Sequence, residues 1–491
     1  MSTTTTESAA GRPPAPQSST GADDSGSNRW YLSAAPIVRA LVHLAAPMAA
    51  AMVVGAVYNV INAGFIGSLH NSALLAAVTF GTPLLGLVMA IGGVFGVGGG
   101  ALVSRLLGAA ENDPAEAGRI KYVSAFALWG SVIAGAVFGG AGLLLLHPLV
   151  TVLGANGAAV GPTSAFVAVM LAFVPVLAAS FCLEQLIRAE GAARQAMIGL
   201  IMSTVANLIF DVLFILVLGW GVAGAGLAIG LSNLITVGYF FSWLQRKSEH
   251  ISLAPRWFTL SPQVLKPVFG VGVGELLQSA FLIITSLVLN NLAAQYGDGP
   301  LAAMGVAVRI AQVPEFLVMG VTIGILPLLA YAYGKGDTAR LNAALRASAI
   351  AVGVIGVIFA GAVFGFRDQL LGLFLADHSL FAVGITILVA QLTAMIVNGF
   401  TGLITSLFQA TGRAVPAMVM SIAQGVLFIP IVIIGNLWFG LTGIIWSLTV
   451  TEIIVFLIGG VLTLASHRRI TEPDSMAGAA ADNDVTSSRR S

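Results

Sequence analysis

The chain has 491 residues, of which 57% are hydrophobic and 9% are charged, with a formal net charge of +1. So few charged residues cannot solvate the surface of a soluble domain of this size, and the composition therefore predicts a chain embedded in lipid. The near-neutral balance gives no indication of nucleic-acid binding. Cys182 is the only cysteine, and the six histidines show no metal-ligand spacing. We expect no disulfide, no cofactor and no metal site.

Apolar stretches of roughly 20 residues, the length needed to cross a bilayer, recur from Leu44 to Leu464. The flanking segments 1–35 and 467–491 are small and polar and are predicted to be disordered tails. The first lacks the basic start and apolar run of a signal peptide. Loop residues predict twelve membrane-spanning helices, numbered here as spans 1 to 12, near 38–66, 74–108, 116–147, 161–189, 194–218, 222–244, 262–296, 300–334, 340–366, 379–411, 414–438 and 440–466.

The run from Gly92 to Gly100 in span 2 resembles a phosphate-binding loop only superficially, because the Lys and Ser or Thr of that motif are missing. Gly92, Gly96 and Gly100 are four residues apart, which predicts close packing against another helix.

Basic residues are distributed unevenly among the loops. Lys and Arg in short loops mark the cytoplasmic side of a membrane protein. If both termini are cytoplasmic, all but two of the 22 Lys and Arg fit one topology, the exceptions being Arg309 within span 8 and Arg367 in an outer loop. We therefore predict a multi-pass protein of the bacterial inner membrane with both tails inside.

The apolar region contains an internal repeat. Leu75-Ala-Ala77 is followed 31 residues later by Gly108, and Leu301-Ala-Ala303 by Gly334 after the same interval, an offset of 226. A second pair of segments aligns at an offset of 221: Arg188-Ala-Glu-Gly191 and Gln409-Ala-Thr-Gly412. Parallel repeats of this kind are typical of transporters in which two lobes rock about a central site.

The predicted fold class is therefore an all-α membrane protein of about twelve spans in two six-helix pseudo-repeats. We place a first lobe over 36–248, a cytoplasmic linker with the start of span 7 over 249–266, and a second lobe over 267–466.

The order and spacing of several segments resemble the multidrug and toxic compound extrusion (MATE) family, especially its bacterial multidrug exporters. This resemblance implies an antiporter that expels drug-like, often cationic, compounds as protons or sodium ions enter. The segments that carry it are Pro47, Tyr58-Asn-Val-Ile-Asn62, Leu75-Ala-Ala77, Ser104-Arg105, Gly108, Arg188-Ala-Glu-Gly191, Asn207, Asp211 and Pro327 through Gly334.

The resemblance also implies an ion-coupling site formed by Asp211, Asn207 and Asn62. Asp211 follows Asn207 by four residues, so both project from one face of span 5. A carboxylate within a span is costly, roughly 2.5–3.5 kcal/mol by insertion scales, and is retained mainly where it lines a cavity or has a partner. Relatives commonly carry Asp in place of Asn62. An amide cannot titrate, although its oxygen can still bind sodium or accept a hydrogen bond.

Other polar residues within the spans are weaker candidates. Glu184 precedes Arg188 by four residues, which favours an intrahelical ion pair with a structural or gating role. Glu275 and Gln278 share a face of span 7 and form a candidate for cation binding in the second lobe. Glu452 in span 12 fits a structural hydrogen bond at least as well as a functional role.

The last candidates lie in spans 8 and 10. Glu315 follows Arg309 by six residues, and a kink at Pro314 would bring the two closer, so a gating role, a substrate-facing role and a buried pair stay open. Gln391 and Asn398 are seven residues apart and face one way, either lining a polar cavity or bonding a neighbouring helix.

We predict a multidrug efflux antiporter whose partners are small organic substrates and the bilayer, acting as a monomer and not as an enzyme. The alternatives are a lipid-linked oligosaccharide flippase of the same superfamily, which requires a more basic cavity, an exporter of a dedicated metabolite, and a passive channel. A membrane enzyme requires clustered His, Asp or Ser with nucleophile or metal spacing, and the sequence has no such cluster.

Overall fold

The computed structural model describes residues 27–68, 72–155, 157–372 and 381–471. These residues form helices and contain no strand. The spans have the following bounds: Ile37–Ser68, Ser72–Ala109, Ala117–Leu144, Val160–Ala172 with Val174–Ala189 as span 4, Ala193–Asp211, Gly221–Lys247, Pro262–Ala294, Asp298–Lys335, Thr338–Gly365, Phe381–Ala410, and Ala414–Thr471 as spans 11 and 12 together.

Ten helices of the described ranges are long and apolar enough to cross a membrane, and span 4 is an eleventh, bent crossing. The last helix changes direction at Gly440, where φ is 57° and ψ is −136°. Only glycine adopts this backbone conformation easily. Counting spans 11 and 12 separately therefore gives the twelve crossings predicted from the sequence.

Span 4 is not the single straight helix predicted over 161–189. Its two parts meet at Phe173 with a bend of 52°. The cause is Pro175, which has no backbone N–H and whose ring clashes with the carbonyl group four residues earlier.

Two predicted boundaries need correction. The tail predicted over 1–35 ends in a helix, Asn28–Ser33, whose first turn is capped by the Ser27 hydroxyl accepting from the backbone N–H of Trp30. Span 12 continues to Thr471, beyond the predicted start of the second tail at 467. The remaining residues of both predicted tails lie outside the described ranges.

Span 2 packs closely against span 4 through its glycines, as predicted. A Cβ atom added to Gly92 would lie 2.8 Å from the carbonyl oxygen of Ala178, and one added to Gly100 would lie 3.1 Å from that of Gln185. A Cβ atom added to Gly96 would lie 3.0 Å from the Cα atom of Cys182. The glycine run therefore serves helix contact.

Two of the helix crossings between the halves involve glycines at equivalent positions of the internal repeat. Gly98 of span 2 lies against the backbone of Val268 in span 7, and Gly324 of span 8 lies against Ala45 in span 1. Gly98 and Gly324 differ by the 226-residue offset. The two crossings are thus equivalent, and each needs a residue without a side chain because a Cβ would overlap backbone atoms.

Spans 2 and 8 also meet directly at one end of the bundle. A Cβ atom on Gly108 would overlap the carbonyl oxygen of Tyr331, and one on Gly334 would overlap that of Arg105. Gly108 and Gly334 are the first glycine pair of the repeat. The halves are therefore in backbone contact at this end, called the closed end below.

Candidate functional site

A polar group lies between spans 1 and 5 of the first half. The Tyr58 hydroxyl donates a hydrogen bond to Oδ1 of Asn207. Asn207 is 5% exposed and Asp211, one turn further along span 5, is 4% exposed. Tyr58 also interacts electrostatically with Asp211. The structure thus brings a phenol, an amide and a carboxylate together inside the bundle.

Asn62 lies one turn after Tyr58 on the same face of span 1. Its Oδ1 atom is buried and has no hydrogen-bond partner among the described residues. Buried amide oxygens are normally paired, and an unpaired one costs about 1–3 kcal/mol. Asn62 therefore presents a free oxygen acceptor, and its Oδ1 atom forms no hydrogen bond with Asn207 or Asp211.

Span 5 changes its helical form directly after Asp211. Residues Val212–Val217 are π-helical, with the Leu218 N–H bonded to the Leu213 carbonyl oxygen. Single π-helical turns are rare and occur frequently at functional sites. Asp211 is thus the last residue before a local change of helical register.

Glu184 and Arg188 form the predicted ion pair, with 3.4 Å between Oε1 and Nη2. Both side chains are buried, at 7% and 4% exposure. Nε and Nη1 of Arg188 have no hydrogen-bond partner in the described part of the chain. A cavity of about 10 Å³, lined by Ser104, Gln185 and Arg188 with residues of span 8, adjoins the guanidinium. A cavity of this size is close to the smallest that can hold one water molecule.

Glu275 links the same region to the second half. Its Oε1 accepts a hydrogen bond of 3.0 Å from Nε2 of Gln409, and its carboxyl interacts electrostatically with Arg188. Gln278 is exposed and takes no part in this contact. Glu275 is therefore hydrogen-bonded within the second half to Gln409 and interacts across the halves with the positive charge of Arg188.

Arg309 and Glu315 do not form an ion pair, so of the roles left open for Glu315 the structure does not support the buried pair. Both side chains are exposed. Pro314 lies inside the continuous helix Asp298–Lys335. Gln391 and Asn398 are half-buried on span 10.

The closed end is held by polar contacts between the loop after span 2 and the end of span 8. Lys335 Nζ lies 2.6 Å from Oε2 of Glu111, and the Tyr331 hydroxyl donates to Oε1 of the same carboxyl. Asn112 Nδ2 donates to the Lys335 carbonyl oxygen at 2.9 Å. Burial alone would raise the pKa of Glu111, but the hydrogen bonds and the positive charge of Lys335 together lower it. The carboxylate is therefore ionised at neutral pH.

The N-terminal helix also connects the halves at this end. Arg340, in the first turn of span 9, donates three hydrogen bonds of 2.8–3.0 Å to the carbonyl oxygens of Tyr31, Leu32 and Ala35. The Asn28 carbonyl oxygen packs against Gly191, which has a φ of 80°. The helix thus touches the loop after span 4 and the start of span 9.

Three of these partners were not identified from the sequence. Tyr58 entered only as part of a family-like segment, although its four-residue spacing from Asn62 was a usable signal. Gln409 entered only as the repeat counterpart of Arg188. Nothing in the sequence singles out Glu111, because acidic residues in loops are ordinarily solvated. In each case the two interacting residues are far apart in the sequence, and no local pattern indicates the contact.

The helices and their crossings define a polytopic all-α transporter built from two similar halves. The chain matches the sequence profile of the MatE family over residues 47–213 and again over 272–434, once in each half. It therefore belongs to the MATE family of efflux transporters.

Relatives in the family are similar over most of the chain. The multidrug export protein MepA of Staphylococcus aureus (strain MRSA252) is 32% identical over 442 residues, covering 90% of this chain and 97% of that protein. MepA of Staphylococcus saprophyticus has the same identity and coverage.

Solved structures show the same fold. A multidrug resistance MATE family transporter in an outward-facing conformation has a TM-score of 0.81 at 23% identity, covering 91% of this chain and 98% of that one. A MOP superfamily transporter from Pyrococcus furiosus has a TM-score of 0.82 at 22% identity, covering 91% and 99%.

Proposed function

We propose that the protein is a multidrug efflux antiporter that expels cationic or amphiphilic organic compounds in exchange for protons or sodium ions. The observation that carries this proposal is the first-half site, in which buried Asp211 lies beside Asn207 and Tyr58. A carboxylate retained inside a membrane protein marks an ion pathway or a structural partner. The MepA relatives, named as multidrug export proteins, support the substrate class.

The site accommodates either coupling ion. Asp211 binds a proton directly, whereas sodium requires several oxygen ligands. Asp211 and Asn207 offer such oxygens, and Asn62 has a free one on the neighbouring helix. Because Asn62 replaces an acid common in relatives, the site holds one negative charge, and one ion per cycle is the expected stoichiometry.

Alternating access supplies the coupling. The closed end carries the basic loops, so by the positive-inside rule it is cytoplasmic. Contacts such as Glu111 with Lys335 therefore close the path to the cytoplasm, while Asp211 is positioned to exchange an ion with the outside. An ion drives the exchange only if it binds the two conformations with different affinities. The protein works as a monomer in the plasma membrane with both termini inside.

The test is efflux of ethidium, a cationic dye, from proteoliposomes containing the purified protein, with pH and sodium gradients imposed separately. We expect an inward gradient of one ion to accelerate efflux and the other gradient to have no effect. Protein-free liposomes provide the control for leakage. Efflux that depends on neither gradient would eliminate the antiporter proposal and favour a passive channel.

A further inference from the structure

The second half contains a fully buried acid that the proposed Asp211 site does not use. Glu452 lies near the middle of span 12 and is 0% exposed. Nε2 of Gln424, on span 11, donates a hydrogen bond to its Oε1 atom. The other carboxyl oxygen, Oε2, is buried and has no partner among the described residues.

Within the part of the chain that the structure describes, no positively charged side chain pairs with Glu452. Glu315 of span 8 is the charged group that interacts with it, and its carboxyl has the same sign. Span 10 carries no charged residue. On span 7, Lys266 lies near the start and Glu275 is bonded to Gln409. A second carboxylate nearby increases the cost of ionising a buried acid.

The unpaired oxygen of Glu452 suits a proton better than a metal ion. One lone pair is sufficient to bind a proton. A metal ion needs several ligands, and no group of three or more His, Cys, Asp or Glu side chains that could hold one occurs in the described ranges. The amide of Gln424 donates to the carboxyl, so it leaves Oε2 free to accept the proton.

We infer that Glu452 is a proton-binding site of the second half, separate from Asp211. Loading breaks an O–H bond of a hydronium ion, which leaves as water, and forms an O–H bond at Oε2 of Glu452. The Gln424 hydrogen bond keeps Oε2 in one orientation throughout.

The test is infrared difference spectroscopy of the purified protein in lipid nanodiscs, recorded between acidic and alkaline pH without sodium. A buried protonated carboxyl gives its own C=O stretching band. Glu452→Gln, which keeps the size of the side chain, should lose one such band. Thr451→Val is the matched control, since Thr451 is equally buried and its hydroxyl bonds only to the Ser447 carbonyl oxygen of its own helix. The control should retain the band.

Gln424→Leu provides a second variant in case Glu452→Gln does not fold. It keeps the carboxyl but removes its hydrogen-bond donor, so the band should remain and shift in frequency. The inference is overturned if Glu452→Gln retains every band, if the Gln424→Leu spectrum matches that of the wild type, or if sodium at constant pH removes the band.

The Asp211→Asn background separates this inference from the proposed function. The Glu452 band should persist in Asp211→Asn whether or not that variant transports. Loss of the band in Asp211→Asn would overturn the assignment to Glu452. Transport that depends on no ion gradient would instead contradict the proposed function and leave the spectroscopic result standing.

Discussion

The two halves of the molecule share their backbone contacts but differ in their polar chemistry. Gly98 and Gly324 make equivalent crossings with the opposite half, and Gly108 and Gly334 make equivalent contacts at the closed end. The first-half site has no such counterpart. At the 221-residue offset, Asn207 and Asp211 correspond to two apolar residues, Phe428 and Val432.

Phe428 and Val432 are 1% and 0% exposed and pack in an apolar cluster with Ile444. The position that holds a carboxylate in one half is thus part of the hydrophobic core of the other. Duplication of a helical framework preserves the small residues needed where helices touch, because any side chain there would overlap backbone. Buried polar residues away from these crossings carry no such constraint, and the halves have diverged there.

A second position also differs between the halves. Arg188 and Gln409 are equivalent at the 221-residue offset, but one is a cation and the other a neutral amide. Arg188→Gln makes the first half like the second, but it leaves Glu184 buried without a cation. Removing one partner of a buried ion pair costs about 3–5 kcal/mol. We expect the largest loss of thermal stability for this variant, measured by scanning fluorimetry in detergent.

The control for Arg188→Gln is the double variant Glu184→Gln with Arg188→Gln, which removes both charges and should recover most of the loss. Equal melting temperatures for the wild type and Arg188→Gln would show that the pair contributes nothing.

The shared framework predicts equal effects for Gly108→Val and Gly334→Val. Each introduces a side chain where the opposite half's backbone lies, and overpacking of this kind costs roughly 1–3 kcal/mol. Melting temperatures and disulfide trapping across the closed end would measure the effect.

Gly86→Val in span 2 and Gly361→Val in span 9 are the matched controls, since no heavy atom lies within 4 Å of a Cβ atom at either position. The comparison between halves fails if only one of the two contact variants differs from its control.

A smaller effect is expected for Glu111→Gln at the closed end. The change removes the ion pair with Lys335, a hydrogen-bonded pair with side-chain exposures of 24% and 30%. Partly exposed pairs contribute about 1 kcal/mol or less. Cysteine accessibility at the closed end should rise in Glu111→Gln but not in Glu116→Gln, whose carboxyl pairs with Arg119 within the first half.

Neighbouring groups lower the pKa of Glu111 in the folded protein below its unfolded value of 4.5. The stabilisation that this carboxylate gives to the closed end is therefore present above pH 4.5 and is lost as the pH falls through the folded-state pKa. Accessibility of the wild-type closed end should therefore increase in acid. An accessibility that does not change down to acidic pH would contradict the assigned role of this carboxyl.

The smallest effect concerns Glu190, whose counterpart in the second half is Thr411, a residue that does not titrate. Burial raises the pKa of Glu190 to about 7, although Ser248 donates a hydrogen bond to it. The folded protein therefore binds this proton more tightly than the unfolded chain, so stability falls as the pH rises from about 4.5 to about 7.

Glu190→Gln should flatten the dependence of melting temperature on pH within that window, whereas Thr411→Val should leave it unchanged. An unaltered slope in Glu190→Gln would contradict the assigned burial of this carboxyl.

Local sequence patterns were sufficient for the framework. The span count, the repeat offsets and the glycine contacts of span 2 follow from apolar length and four-residue spacing. The bend at Phe173 and the N-terminal helix were missed because apolar and polar composition says little about a proline's effect or a short capped turn. Partners such as Gln409 for Glu275 depend on how two distant helices meet. The sequence places both residues on helices without indicating that contact.

The central claim is that ion coupling depends on the carboxyl of Asp211 in the first half. The most direct measurement is gradient-driven efflux of ethidium from proteoliposomes containing Asp211→Asn, beside Asp368→Asn, a matched change at an exposed acid of the second half. We predict that Asp211→Asn folds and binds ethidium but does not respond to the gradient, while Asp368→Asn transports like the wild type. Gradient-driven efflux by Asp211→Asn at the wild-type rate would contradict the claim.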